Sequence, residues 1–223
     1  MACPPQGYST APVTRHARPA PRARLRQSGA AAALGVVLAS LTLPAWSDGT
    51  TTAASDIAAL LPTARRTAGE LGNRLKTQLQ AALAAGGPMS ALEVCQTVAP
   101  AIGHDLAATF EGDVGRTALK VRNPANAPDA FERGVLAAFA ADAAKGVDVS
   151  ALEHAEIIVE DGRRVFRYMK AIPMLQTPCG SCHGVSIAPD LLRGIQARYP
   201  QDAAVGFVPG ELRGAFTLSK TLR

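Results

Sequence analysis

Residues 179–183 read Cys-Gly-Ser-Cys-His, and no other string in the chain constrains the fold as much. C-x-x-C-H is the attachment signal for a c-type haem: two thiols add across the porphyrin vinyl groups, and the histidine that follows coordinates the iron. A chain that carries it has to build its core around a flat macrocycle. Two other chemistries use C-x-x-C. A thioredoxin-like dithiol belongs with a βαβ unit, whereas Pro178, Gly180, Gly184 and Pro189 make this motif read as a loop. A structural zinc site needs four N or S ligands. Cys179, Cys182 and His183 supply three, with no second C-x-x-C or H-x-x-H to complete the set.

The N-terminal segment is consistent with haem attachment on independent grounds. It carries Arg15, Arg18, Arg22, Arg24 and Arg26 without any acid, then an apolar run from Gly29 to Leu43, then Ala45 and Ser47 as small residues ahead of Asp48. That is the pattern of a secretory signal peptide, with an apolar run short for a membrane span. The expected organisation is a signal peptide over 1–47, cleaved near Ser47, a Thr/Ala-rich linker over 48–54 and a haem c-binding domain over 55–223. No consecutive arginine pair precedes the run, which argues against a twin-arginine route, and no cysteine follows it to carry a lipid. Cys3 falls in the discarded part. The expected location is the periplasm, with no transmembrane segment left after cleavage.

The formal net charge of +5 resides in the signal segment, because without its five arginines acids and bases balance. A neutral mature chain with no Lys/Arg cluster gives no reason to expect nucleic-acid binding.

Along the mature chain helix and strand signals alternate. Ser55 or Asp56 caps an expected helix through Leu60, Leu71, Leu75 and Leu79, with Pro62 near its start and a stop at Gly86-Gly87-Pro88. Ser90 to Glu93 reads as a capping box opening a second helix, with Leu92, Cys95, Ala99, Ile102 and Leu106 on its apolar face. A strand over Val114 to Val121, a turn over 123–128 and a helix capped by Asp129 follow. Ala155 to Val159 and Arg164 to Ile172 flank Asp161-Gly162, a two-residue hairpin turn. After the haem loop come a short helix, Pro189 to Tyr199, and a last strand, Leu212 to Ser219. Hairpin strands with helices beside them indicate an α+β fold.

The distal side of an iron held by His183 would need a further ligand. By spacing the candidates are Met89, Met169, Met174, His104, His154 and Cys95. Methionines among apolar residues are commonly core packing. Cys95 is the odd cysteine of an exported chain, a feature worth noting.

Several segments resemble a bacterial family of single-haem c-type proteins first described as a domain of unknown function. They are Ala91-Leu92-Glu93-Val94-Cys95 through Ala99-Pro100, residues 115–129 with their Arg122-Asn123-Pro124 core, Cys179 to Gly184, and Gly210 to Phe216. The resemblance spans roughly 55–220, although the family usually has serine where this chain has Ala118. It implies a PAS-like antiparallel sheet flanked by helices. It also implies one covalent haem c held by His183 and a distal cysteine, which places Cys95 as axial ligand. Arg116, Arg122 and Arg213, on or beside these segments, are candidates for propionate contacts.

A thiolate ligand donates electron density and favours Fe(III). Pro100, one turn beyond Cys95, cannot donate to the Gln96 carbonyl and is expected to kink the ligand's helix. These features suggest redox or small-gas sensing, with CO or NO as ligand and a redox or signalling protein as partner. A soluble electron-transfer cytochrome is the alternative. An enzyme is the weakest reading, because catalysis needs an open iron position that Cys95 would fill.

Overall fold

The computed structural model describes residues 48–223; the expected signal peptide and its cleavage point lie outside the described residues. A long helix, α1 (Asp48–Glu93), comes first. Residues 48–54, expected as a linker, form its first turns, because neither Pro nor Gly interrupts the Ala/Thr-rich stretch from Thr50 to Leu61 and alanine is the strongest helix former. Ser55 therefore does not cap; its hydroxyl donates to the Thr52 carbonyl at 2.9 Å. Pro62 sits well inside α1. The expected stop at Gly86-Gly87 appears as a break within α1, where Gly87 takes φ 68° and ψ −164°, a conformation open to glycine. Helical geometry resumes from Pro88, whose missing N–H costs nothing in a first turn. Ser90 consequently lies inside the second segment and is not its cap.

That segment runs into a π-wound turn, Val94–Val98, and then α2 (Ala99–Phe110). The cause is Pro100, which offers no N–H to the Gln96 carbonyl and crowds it. The helix widens by one residue, and the Ala99 N–H bonds to the Val94 carbonyl five positions back. The Thr97 hydroxyl donates to the Glu93 carbonyl at 3.0 Å. Cys95 lies in this widened turn.

Four strands, β1 (Asp113–Thr117), β2 (Glu153–Glu160), β3 (Arg163–Pro173) and β4 (Leu212–Thr221), form an antiparallel sheet in the order β1-β4-β3-β2. Asp161 and Gly162, both at positive φ, turn the β2–β3 hairpin as expected. β1 ends at Thr117, short of the expected Val121, and the chain from Ala118 onward leaves the sheet to wall a cavity. Helix α3 (Ala130–Ala144) opens with the reciprocal Asp129–Glu132 capping box.

Alternation along the strands assigns each residue to one face. Met169, Ala171 and Ala215 pack with Leu136 and Phe139 of α3. Phe166, Tyr168 and Leu218 pack with Ala64 and Ala68 of α1 and Phe110 of α2. Gly72 lets α1 approach β4, since a Cβ there would stand 2.9 Å from the Phe216 ring. The motif forms one helical turn, α4 (Gly180–His183), followed by α5 (Pro189–Arg198). Among the described residues no helix is long and apolar enough to cross a membrane.

Candidate functional site

Between α1, the Cys95 turn, the ends of β1 and β4 and the C-x-x-C-H turn lies a cavity of about 330 Å³. Cys95, Cys179, Cys182 and His183 all line it, although 84 residues of sequence separate the first two. Leu75, Leu79 and Leu83 of α1 supply its apolar wall. The three cysteines are free thiols, and burial pushes those of Cys179 and Cys182 up from their ordinary range. Among the described residues no group of three or more His, Cys, Asp and Glu is arranged to hold a metal ion. The zinc alternative therefore gains nothing from the geometry.

A strap, residues 202–207, holds the motif from behind. The Phe207 and Gly206 amides donate to the carbonyls of His183 and Gly184, each at 3.0 Å. His183 Nδ1 lies 2.7 Å from the Ala204 carbonyl. A carbonyl only accepts, so Nδ1 carries the proton and Nε2 keeps its lone pair. Burial, followed by the charges of Arg213 and Arg122, holds the His183 pKa well below the ordinary imidazole value. The ring stays neutral and available as a ligand.

The six distal candidates of the sequence fall in different places. Met169 and its cross-strand neighbour His154 stand on the α3 face, away from the cavity. Met174 packs behind the motif with Ala204 and Phe207. His104 is exposed on α2, and Met89 is exposed beside Gly194. Of the six, Cys95 alone lines the cavity.

The three arginines all border the cavity, yet they differ. Arg122 is already engaged. Its guanidinium donates to the Cys182 carbonyl at 2.7 Å, to Asp202 at 2.9 Å and to the Ala204 carbonyl at 3.3 Å. It thus ties the motif to the strap through one nitrogen, while its buried Nε has no hydrogen-bond partner among the described residues. Arg213 donates to the Lys120 carbonyl at 3.3 Å and lies over the Phe207 ring. Burial, then the like charges of Arg122 and Arg116, brings its pKa down to about 10. Arg116 has no hydrogen-bond or ion-pair partner among the described residues, and burial lowers its pKa as well. Lys76 joins these cations in the lining, which contains no Asp or Glu.

Because the Arg122–Asp202 side chains are only 7% and 5% exposed, removing one partner strands a buried charge. Arg122→Met should cost about 3 kcal/mol, read as a lower urea midpoint at unchanged slope. Adding Asp202→Leu should recover part of that loss.

Sequence reasoning missed Asp202, Ala204 and Tyr199. Asp202 meets Arg122 across 80 residues, and no local pattern announces such a pairing. Tyr199, buried at the end of α5, borders the cavity together with Cys95. Its position a turn beyond Ile195 on the apolar face of α5 was the available signal.

The fold and site define an α+β protein built around an apolar, cation-lined cavity with a C-x-x-C-H turn in its wall. The chain belongs to the Tll0287-like family, whose model matches residues 45–220. Among solved structures it is similar to that of the cyanobacterial heme-protein Tll0287, at 26% identity over 70% of this chain and 96% of that one, with a TM-score of 0.44. No curated protein matches the chain.

Proposed function

We propose that this chain is a periplasmic protein carrying one covalent haem c, and that it acts as a redox- or gas-responsive module and not as a catalyst. The observation that carries the reading is the convergence on one apolar cavity of both motif cysteines, a neutral histidine with Nε2 free, and Cys95. Cys179 and Cys182 would hold the porphyrin through thioethers, with His183 Nε2 and Cys95 Sγ as axial ligands. The cationic lining is the charge that two propionates require, and Arg116, Arg213 and Lys76 have no acidic partner among the described residues, Arg122 alone being paired with Asp202. Membership of a family whose namesake is a heme-protein accords with this. A PAS-like arrangement of the sheet and its helices is part of the same proposal.

When bound, the group supplies a one-electron iron centre, which a thiolate ligand biases towards the ferric form. The chain's own residues do the rest. The strap fixes the His183 ring through Ala204, while Cys95 rides on a turn wound one residue too wide. A π-turn is a less favourable winding than the α-helix around it. Movement of Cys95 would be passed directly to α2, which begins four residues later. That difference in rigidity between the two sides favours a switch over a fixed carrier.

Absorption and EPR spectra of the ferric and ferrous protein test the reading. A low-spin ferric form with thiolate character, changing its ligation on reduction, is the expected result. A His/Met spectrum that survives reduction would make the protein a soluble electron carrier.

A further inference from the structure

We propose that a second, smaller cavity is a binding site for the carboxylate of a short aliphatic chain, held by Lys120 and Arg213. Two sources carry that chemistry, a propionate of the haem and a free small carboxylate, and the first of them rests on the haem reading above. The cavity, of about 140 Å³, lies between α3, the start of β4, the strap and the chain leaving β1. Arg213 and Gly214 border both it and the larger cavity. Gly214 lets the chain leaving β1 lie against β4, since a Cβ there would stand 2.4 Å from the Thr117 carbonyl oxygen. Lys120 is thereby brought beside Arg213, whose Nη1 donates to the Lys120 carbonyl at 3.3 Å.

Both cations lie over the ring of Phe207, the Lys120 Nζ at 4.5 Å from its centroid and the Arg213 guanidinium carbon at 5.3 Å. A ring face attracts cations but has no net charge with which to neutralise them. Lys120 also donates to the Val205 carbonyl at 3.0 Å. Neither cation has an acidic partner among the described residues, and no Asp or Glu lines this cavity. An ammonium carries three N–H donors and a guanidinium five, so most of theirs have no protein acceptor. Two like charges gathered on one ring call for an anion. The walls decide what that anion is attached to, because Leu136, Ala140 and Leu212 are apolar and add nothing to the binding of sulfate or phosphate. A carboxylate on a few methylenes buries its chain there and presents its oxygens to Lys120 and Arg213. The volume is well under the roughly 300–1,000 Å³ of a site for a drug-sized ligand, which keeps the chain short.

The test titrates the haem-loaded protein with acetate, propanoate and butanoate by calorimetry, with butan-1-ol as the uncharged control. For a free carboxylate, affinity should rise about fourfold per added methylene. It should fall at least about tenfold in Lys120→Met, the size of one charge-assisted hydrogen bond. Lys120 is exposed, so this variant should keep the fold, as circular dichroism would show. For a haem propionate, wild type should take up none of the acids, and the propionate bending band of the resonance Raman spectrum should move in Lys120→Met at unchanged haem mass. Butan-1-ol binding as tightly as butanoate, butanoate uptake unaltered in Lys120→Met, or neither uptake nor a band shift would each overturn the proposal and leave the haem reading standing. A wild-type protein with no haem in its mass would overturn that reading instead. Butanoate uptake lost in Lys120→Met would then still support the site, and no uptake would end it.

Discussion

Replacing Cys179 and Cys182 together by alanine should leave the exported chain with no covalently bound haem. Wild type, made alongside cytochrome maturation machinery, should gain the mass of one haem and resist acid-acetone extraction. Either single variant keeps one attachment sulfur and should retain a reduced yield. The expectation has a structural side too. The cysteines anchor different parts of the shell: Cys182 packs on Leu92, Leu191 and Ile195, and Cys179 on Met174, Ala204 and Phe207. The cavity they line has a volume of about 330 Å³, and whatever binds only the folded form stabilises it. The double variant should therefore also unfold at lower denaturant than the haem-loaded wild type. Normal maturation of the double variant would rule out covalent attachment through this motif.

Cys95→Ser should have the next largest effect, and a different one. The haem should remain attached, because the thioether cysteines are untouched, while the ferric spectrum moves from low-spin with thiolate character to high-spin or water-ligated. Ferrous wild type should take up CO more readily than the ferric form takes up cyanide, since added electron density weakens the thiolate bond. Met169→Leu and Met174→Leu, which nearly conserve volume, are the controls. Met169 lies on the other face of the sheet and Met174 behind the motif, so neither should alter the spectrum. If Cys95→Ser leaves the ferric spectrum unchanged and a methionine variant changes it, the ligand is that methionine and the electron-carrier reading leads.

Local chemistry was readable in advance wherever a few adjacent residues decide it. The Asp129–Glu132 box closes within one helical turn, the Asp161-Gly162 turn needs positive φ at two successive residues, and Gly86-Gly87 interrupts a helix whatever surrounds it. The same local reasoning was incomplete where composition was ambiguous. An Ala/Thr stretch reads equally as linker or helix, and 48–54 is helix. A proline after Cys95 signalled a broken ladder, and the form of the break, a π-turn over 94–98, is seen only in the structure.

By itself the sequence supplied the proposed attachment motif, since C-x-x-C-H needs only five consecutive residues, and it determined the alternation that builds the hairpin and the helical spacing that turns Cys95 inward. Tertiary structure alone decided which side chains share the cavity. Six distal candidates had comparable standing in one dimension; period-2 alternation turns Met169 and its neighbour His154 to the α3 face, Met174 packs behind the motif, Met89 and His104 are exposed, and Cys95 is the one of the six that lines the cavity. Three arginines also looked alike until Asp202, 80 residues from Arg122, claimed one of them. Charge pairing and burial depend on distance in space, and distance in space is set by how the sheet, α1 and the strap close on one another.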